Sequence, residues 1–510
     1  MLKKSIYHIL ALKVIILLPN SLHAQSSITT DIGFGFAGGS GDYAAHYITA
    51  NQHGAFSVQS NSAYLRAGVF GQTLHDDWCF DYGLDLLTCT DDYTPFYLQQ
   101  LYANVEKYGF FAEVGAKEYA PTLRNQRLSS GSMLWSGNAH PIPQLRIGSV
   151  DFFDIPGTRH WLQFRFDGGY GLFMDDDYLR ERYDEYNPGG NTLTGGSQSF
   201  LTTGAWMHQK RAHLRTNPHR RFYLAVGMEH AVQFGGTTVN YINNTINGTL
   251  EQHLGFMDFV KVLVPASGGD GSAVGDQNFV FGNHLGIWSG QLSCNLNAHS
   301  VLHAYVEFPF EDGSGIAKRN GWDGLWGLEY HTERDAWLSG IVLEYLQTTD
   351  QSGAIHWAPQ DHMGEMKGEA RGADEYYNNF FYCGYAHFGQ SMGTPMLKSP
   401  IYNADSYLRF TDNRVQAWHA GIEGNVLSLP ARPSLPDTRI DYRCLLSYRN
   451  AFGTMNLPSA FIRHDLSLLA ELTCGIGHWQ MVMAYACDRG SLMGDSNTFK
   501  VSFTYHGKVF

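Results

Sequence analysis

Two stretches of this chain set aromatic rings beside hydrogen-bonding side chains densely enough to do binding chemistry. "FPFEDGSGIAKRNGWDGLWGLEY" runs from Phe308 to Tyr330 and holds Glu311, Asp312, Trp322, Asp323 and Trp326. "GADEYYNNFFYCGYAHFGQSMGTP" runs from Gly372 to Pro395 and holds Tyr376, Tyr377, Asn378 and Asn379. Trp and Tyr rings offer flat apolar faces to sugar C–H groups, while Glu, Asp and Asn hydrogen-bond hydroxyls. These residues are the candidate ligand-binding set, and the chemistry is carbohydrate contact. A packed plug or an interfacial belt uses the same residue types.

Catalytic patterns fare worse. "GQSMG", Gly389 to Gly393, fits a nucleophile elbow by letter, but that elbow needs a strand running straight into a helix. Thr394-Pro395 and Ser399-Pro400 follow and leave no room for one. "GGDGSAVGD" lacks the lysine of a phosphate-binding loop. The 23 histidines are scattered without an H-E-x-x-H. Asp175, Asp176 and Asp177 could ligate Ca²⁺, although a run of acids usually marks a solvated loop face. No acid/base pair, cofactor motif or metal set emerges, so the expectation is a protein that is not an enzyme.

Whatever elements position these residues belong to an exported chain. "MLKKSIYHILALKVIILLPNSLHAQ" combines Lys3 and Lys4, an apolar core and the small residue Ala24. That is a secretory signal peptide over residues 1–24, leaving 25–510 as the mature protein. The apolar run, broken by Lys13 and Pro19, is too short to span about 30 Å of hydrocarbon. The whole chain is acidic, at −13, which argues against nucleic acid as partner. Only 16% of residues are charged, while 14% are aromatic and 56 are glycine. Soluble chains carry about a quarter charged residues. Low charge, many aromatics and no apolar 20-mer point to a membrane protein made of strands.

The cysteines do not form a disulfide framework. There are seven, without a CxxC pair. Cys79 and Cys89 bracket one strand-like run spanning about 33 Å, far beyond the roughly 7 Å limit between bridged Cα atoms. Cys444 and Cys474 fall on apolar strand faces and read as small hydrophobes.

Strand periodicity is general. In "RIDYRCLLSYR", Ile440, Tyr442, Cys444, Leu446 and Tyr448 oppose Arg439, Asp441, Arg443, Ser447 and Arg449, with Leu445 out of character. "HWLQFRFDGGYG" sets Leu162, Phe164 and Phe166 against Arg165, and "RFYLAVGMEH" sets Phe222, Leu224 and Val226 against Glu229. "LYANVEKYGFFAEVGAK" reads as a hairpin turning at Glu106–Gly109. Many runs exceed the five or six residues usual in soluble sheets, and aromatics such as Trp479 and Tyr485 crowd their ends as interfacial girdles do. The predicted fold is an all-β transmembrane antiparallel barrel. "VSFTYHGKVF" closes the chain on an aromatic strand suited to pairing with the first, and it looks like the signal read by the barrel assembly machinery. Its alternation slips at Val509 and Phe510. Short links read as periplasmic turns; long ones such as "VPASGGDGSAVGDQ" read as outer loops or plugs.

The stretches "FPFEDGSG…NGWDGLWGLEY", "EYLQTTDQSGAIH", "GADEYYNN", "GMEHAVQFGG" and "SYRNAFGTMN" resemble the Wzi-type capsule assembly family of outer-membrane proteins, in its Bacteroidetes-like branch. The resemblance runs in order from the mature N-terminus to the last strand. It implies a barrel of roughly 18 strands, plugging loops and a small periplasmic helical part. It also implies a surface lectin that binds capsular or exopolysaccharide in the bacterial outer membrane, with outer-membrane lipid around it. The alternative is a porin or substrate channel; a lipase or deacylase ranks last for want of a catalytic constellation. Three expectations follow. Arg165, Glu229, Asp441 and Arg443 point inward; Arg439, Arg443 and Arg449 find carboxylates; and the two aromatic-polar stretches meet at the lumen or outer mouth.

Overall fold

A computed structural model describes residues 25–509, except 120, 122, 187–198, 243–244, 265–281, 312, 317, 354–355, 358–369, 372–373 and 433–435. The signal-peptide reading over 1–24, Asp312, Phe510 and most of the loop at 264–277 therefore lie outside the described residues.

Eighteen strands form one closed antiparallel barrel. In chain order they are β1 (Gln25–Ser40), β2 (Ser62–His75), β3 (Trp78–Cys89), β4 (Phe96–Lys107), β5 (Phe110–Ala116) and β6 (Gln144–Ser149). Then come β7 (Leu162–Leu172), β8 (Trp206–Thr216), β9 (Phe222–Phe234), β10 (Asn283–Asn297), β11 (Ser300–Phe310) and β12 (Gly324–Thr332). The wall ends with β13 (Gly340–Gln347), β14 (Val415–Leu429), β15 (Thr438–Gly453), β16 (Pro458–Ile476), β17 (Trp479–Gly490) and β18 (Ser496–Lys508). A two-residue strand, Phe153–Asp154, edges onto β7.

Closure explains the aromatic C-terminal strand. β1 pairs with both β2 and β18, and Phe34 faces Phe503 across the seam with ring centroids 5.4 Å apart. A sheet with no edge leaves no backbone N–H or C=O to satisfy in lipid. Past the last ladder residue the Val509 N–H still donates to the Ile28 carbonyl at 2.8 Å, which holds the chain where its alternation slips.

The register follows the sequence pattern. Phe222, Leu224, Val226 and Leu446 are exposed on the outer surface. Leu162, Phe164, Phe166, Ile440 and Tyr442 share that face by alternation and are half-buried among outward neighbours. Glu229 is buried inside, 3.3 Å from His213. Arg443 meets Glu471 at 2.8 Å and Arg449 meets Asp465 at 2.7 Å, while Arg439, nearer the rim, bridges Asp441 and Asp335 at 2.7 Å each. Cys79 and Cys89 lie at opposite ends of β3, and all seven cysteines are free.

One end of the barrel carries mostly short connections, including residues 76–77, 108–109, 298–299 and 477–478, and both described termini lie there. The other carries the long ones, notably residues 41–61, 117–143, 173–205, 235–282 and 348–414. The helical part is small, and it sits in these long connections rather than beside the termini. It includes α1 (His46–Thr49), α2 (Asp176–Glu185) and α3 (Phe256–Leu263).

Helix α3 packs outside the wall. Phe259 lies between Tyr170, Trp206 and Phe234, all on outward faces of β7 to β9. Lys210, also outward, donates its ammonium to the terminal carbonyls of Val262 and Leu263. A cation facing lipid would be costly; at a helix C-terminus it meets the negative end of the dipole.

Candidate functional site

The barrel interior is divided between a packed plug at the long-loop end and a polar cavity at the short-turn end. In the plug, Tyr47, Ile48, Leu128, Met133, Trp135, Tyr376, Tyr385, Met396 and Phe410 come from three long connections. They form one buried cluster with inward wall residues Leu285, Ile287, Leu325, Val342, Leu346, Val415 and Leu445. Leu445, the misfit of its strand, points inward because apolar plug packs there instead of water.

Wall carboxylates pin the plug backbone. Glu344 on β13 accepts the Ser129 hydroxyl and the Ser130 N–H, each at 2.7 Å, and the Tyr305 hydroxyl at 2.6 Å. Glu307 on β11 accepts the Met133 N–H at 2.7 Å and faces Arg124 at 3.1 Å. His419 contacts the Leu128 carbonyl through Nε2 at 2.6 Å, and the His46 N–H donates to Asp488 at 2.8 Å. Inward acids were expected from alternation, but nothing in "HAYVEFPF" or "IVLEYLQ" says whether the partner is water or a plug.

The two aromatic-polar stretches do meet, though not through all their predicted members. Asp323 is fully buried and accepts the Asp350 and Gln351 N–H groups at 3.0 and 2.7 Å. Burial pushes its carboxyl up to about 6. Gln351 then accepts the Tyr376 N–H at 3.0 Å, and the Asn320 amide donates to the Tyr376 hydroxyl at 3.0 Å. Tyr377, buried, donates to the Met133 carbonyl and accepts the Thr394 N–H at 3.1 Å. Asn378 clamps Phe410 through both its N–H and its carbonyl at 2.9 Å. Asn379 accepts the Phe381 and Tyr382 N–H groups and reaches Asn283 at 3.2 Å. These polar atoms hold the plug together.

Trp326 lies elsewhere. It is on the outward face of β12, and in register across β13, β14 and β15 it is followed by Tyr345, Trp418 and Tyr448. Trp322 is 69% exposed with its ring 5.4 Å from Trp326. Both belong to an outer aromatic girdle of the kind that sits at a membrane interface. Glu311 is half-buried directly after β11, and its charge reaches the Tyr376 hydroxyl at the Asp323–Tyr376 junction.

The catalytic patterns resolve structurally. Ser391 is fully buried in a two-residue ladder, followed only by a three-residue 3-10 turn at Pro400–Tyr402 and not by the α-helix that an elbow needs. Asp175 is not on a solvated face: it is buried at the start of α2, accepting the Phe388 N–H at 2.9 Å. The reason is tertiary, since loop 376–414 folds over it. Among the described residues no group of three His, Cys, Asp or Glu could hold a metal ion.

The cavity has a volume of about 570 Å³. Its floor is the plug around Asn51 to Phe56, and its walls include Arg66, Glu118, Arg443, Glu471 and Lys500. Arg66 bridges Asp85 and Glu118 at 2.5 and 2.8 Å. Glu118, in the loop after β5, is held below the usual carboxylate range by His53 and Arg66 against the opposing effect of its own burial. Sequence reasoning did not single out this chamber, because its residues come from many strands far apart in the chain.

Among solved structures the chain is similar to Wzi of Escherichia coli, described as an outer-membrane protein involved in group 1 capsule assembly and a carbohydrate-binding β-barrel. The TM-score is 0.54 at 11% identity, covering 94% of this chain and 84% of that one. It is also similar to OccK5 (OpdH) of Pseudomonas aeruginosa, at TM-score 0.45 and 10% identity over 95% and 99% of the two chains. OprD of the same organism gives 0.43 and 9%, over 95% and 96%. No protein-family model and no curated protein matches the sequence. The likeness to the Wzi barrel shows the fold, a closed antiparallel barrel of the outer-membrane type.

Proposed function

We propose that this protein is a non-catalytic outer-membrane barrel that binds capsular or exopolysaccharide and anchors it at the cell surface. The supporting observation is the plug. A diffusion porin keeps a hydrated constriction open, whereas here the long-loop half of the lumen is filled by a continuous buried cluster tied to wall carboxylates. Such a barrel offers a rigid platform, with loop surfaces and aromatic side chains at one end. The carbohydrate binding described for the Wzi barrel is consistent with this role at the level of fold. In this reading the short turns face the periplasm, and Asp323 and the Tyr376–Asn379 segment hold rigid, from inside, the plug whose outer surface, with Glu311 near it, carries the glycan.

The test pairs two measurements. Cells lacking the protein should shed surface polysaccharide that cells expressing it retain. Purified protein in a planar bilayer should show no steady conductance at neutral pH. Retention unaffected by deletion would remove the anchoring role, and a stable open channel would establish the porin alternative.

A further inference from the structure

The short-turn cavity carries a row of inward-facing charges. Glu423 on β14, Arg443 on β15, Glu471 on β16, Ala484 on β17 and Lys500 on β18 occupy successive register positions, all facing inward. Glu423 takes Arg127 of the plug at 2.7 Å, and Glu471 takes Arg443 at 2.8 Å. Ala484 then stands where an alternating row would place the next charged group, so Lys500 is left over. Among the described residues no carboxylate lies within 4.0 Å of its ammonium, whose neighbour is the Phe56 ring at 3.7 Å. The other lining cations of the floor and walls are committed: Arg66 to Asp85 and Glu118, and Arg124 to Glu307 at 3.1 Å.

Lys500 lies deep in the chamber. The lining follows β18 through Ser502 and Thr504 to His506 near the rim, about 20 Å of strand. Phe56 meets Tyr64 edge-to-face at 4.8 Å, which puts aromatic surface beside the ammonium. Gln100, Thr473 and Gln480 add neutral hydrogen-bonding groups. A volume of this order is within the range that encloses small ligands. A cation in a water-restricted chamber attracts an anion more strongly than it would in bulk water.

We propose that this cavity is a vestibule, entered from the short-turn end, for an acidic saccharide unit whose carboxylate sits on Lys500 beside the Tyr64 ring. The proposal rests on the polysaccharide reading and narrows it to uronic-acid-type glycans.

The experiment is calorimetric titration of the detergent-purified full-length barrel with trigalacturonate, maltotriose and inorganic phosphate. Trigalacturonate should bind at least tenfold more tightly than maltotriose or phosphate. Lys500→Met, close in length and packing, should lose that advantage, and Lys500→Arg should keep most of it. Heat-modifiable migration in electrophoresis verifies that each variant is folded. Absent trigalacturonate binding, or binding unchanged in Lys500→Met, overturns the proposal; phosphate binding as tightly as trigalacturonate reduces the site to a general anion site and overturns its sugar assignment. The deletion strain separates the two readings. If it sheds polysaccharide while trigalacturonate fails to bind, only the vestibule falls; if it retains polysaccharide, the anchoring function falls whatever the titration shows.

Discussion

Glu344 and Ser130 join wall to plug: the Ser130 N–H donates to the Glu344 carboxylate at 2.7 Å, in an interior where both residues are buried. The same carboxylate takes the Ser129 and Tyr305 hydroxyls. Glu344→Ala strands three buried donors, and each unsatisfied group costs about 1–3 kcal/mol. The plug should then open transiently while the wall persists. Single-channel recording should show openings in Glu344→Ala that are absent in wild type, and Glu344→Gln, which keeps an acceptor, should open less often.

Acidification should weaken the same plug through His140. This imidazole is buried against Tyr97, centroids 4.2 Å apart, with Nδ1 3.0 Å from the Gln99 carbonyl oxygen. Burial, with His387 and His53 nearby, pushes its pKa down to about 3. A released loop would titrate near the ordinary value of about 6.5, so the undocked form binds the extra proton between those values. Docking is therefore full above pH 6.5 and weakens below it, by up to about 1.4 kcal/mol per pH unit. Asp323 acts oppositely, because its raised pKa makes the docked form the better proton acceptor between about 4 and 6. Proteolysis of loop 117–143 should accelerate between pH 7 and pH 5. His140→Gln should flatten that rise, and Asp323→Asn should steepen it.

Arg449 and Asp465 form a fully buried pair at 2.7 Å, with Ser467 as a second acceptor at 3.2 Å. Removing one partner of such a pair costs about 3–5 kcal/mol, because the other charge stays buried alone. Arg449→Met should lower the temperature at which the barrel loses its compact electrophoretic form. Adding Asp465→Leu should recover a large part of the loss. A double variant no better than the single would mean that the pair is not energetically coupled.

The wall was legible because alternation is local: Ile440 to Tyr448 declare an outer face, and Arg439 to Arg449 declare an inner one. Its single misfit, Leu445, carried more information than its regular neighbours, since an apolar residue on the inner face is the footprint of the plug. The plug's tie points were not legible. Glu307 and Glu344 look like any lumen acid, and their partners Met133 and Ser130 lie more than 170 residues away in sequence. Trp326 shows the converse: residue type alone grouped it with the other candidate binding residues, yet strand parity places it outward. Counting alternation from Glu329, which is buried inside, would have placed Trp326 on the lipid side.

That parity separates two residues that sequence reasoning grouped together. Trp326 stacks near Phe308 and Trp322 on the outer girdle, so Trp326→Ala removes interfacial contact and leaves the plug untouched. Polysaccharide retention should stay within twofold of wild type, with a small loss of heat resistance. Tyr377 packs edge-to-face on Phe410 at 5.3 Å, and its hydroxyl joins Met133 to Thr394. Truncating it leaves a cavity and unpaired backbone groups together, a change worth about 3–5 kcal/mol for a large buried ring. Tyr377→Ala should therefore raise conductance and reduce retention at least fivefold, and Tyr377→Phe, which keeps the ring, should fall between. Quantifying surface glycan on cells with equal amounts of inserted barrel decides the matter: a fivefold loss in Trp326→Ala with none in Tyr377→Ala would move glycan contact from the plug to the outer girdle.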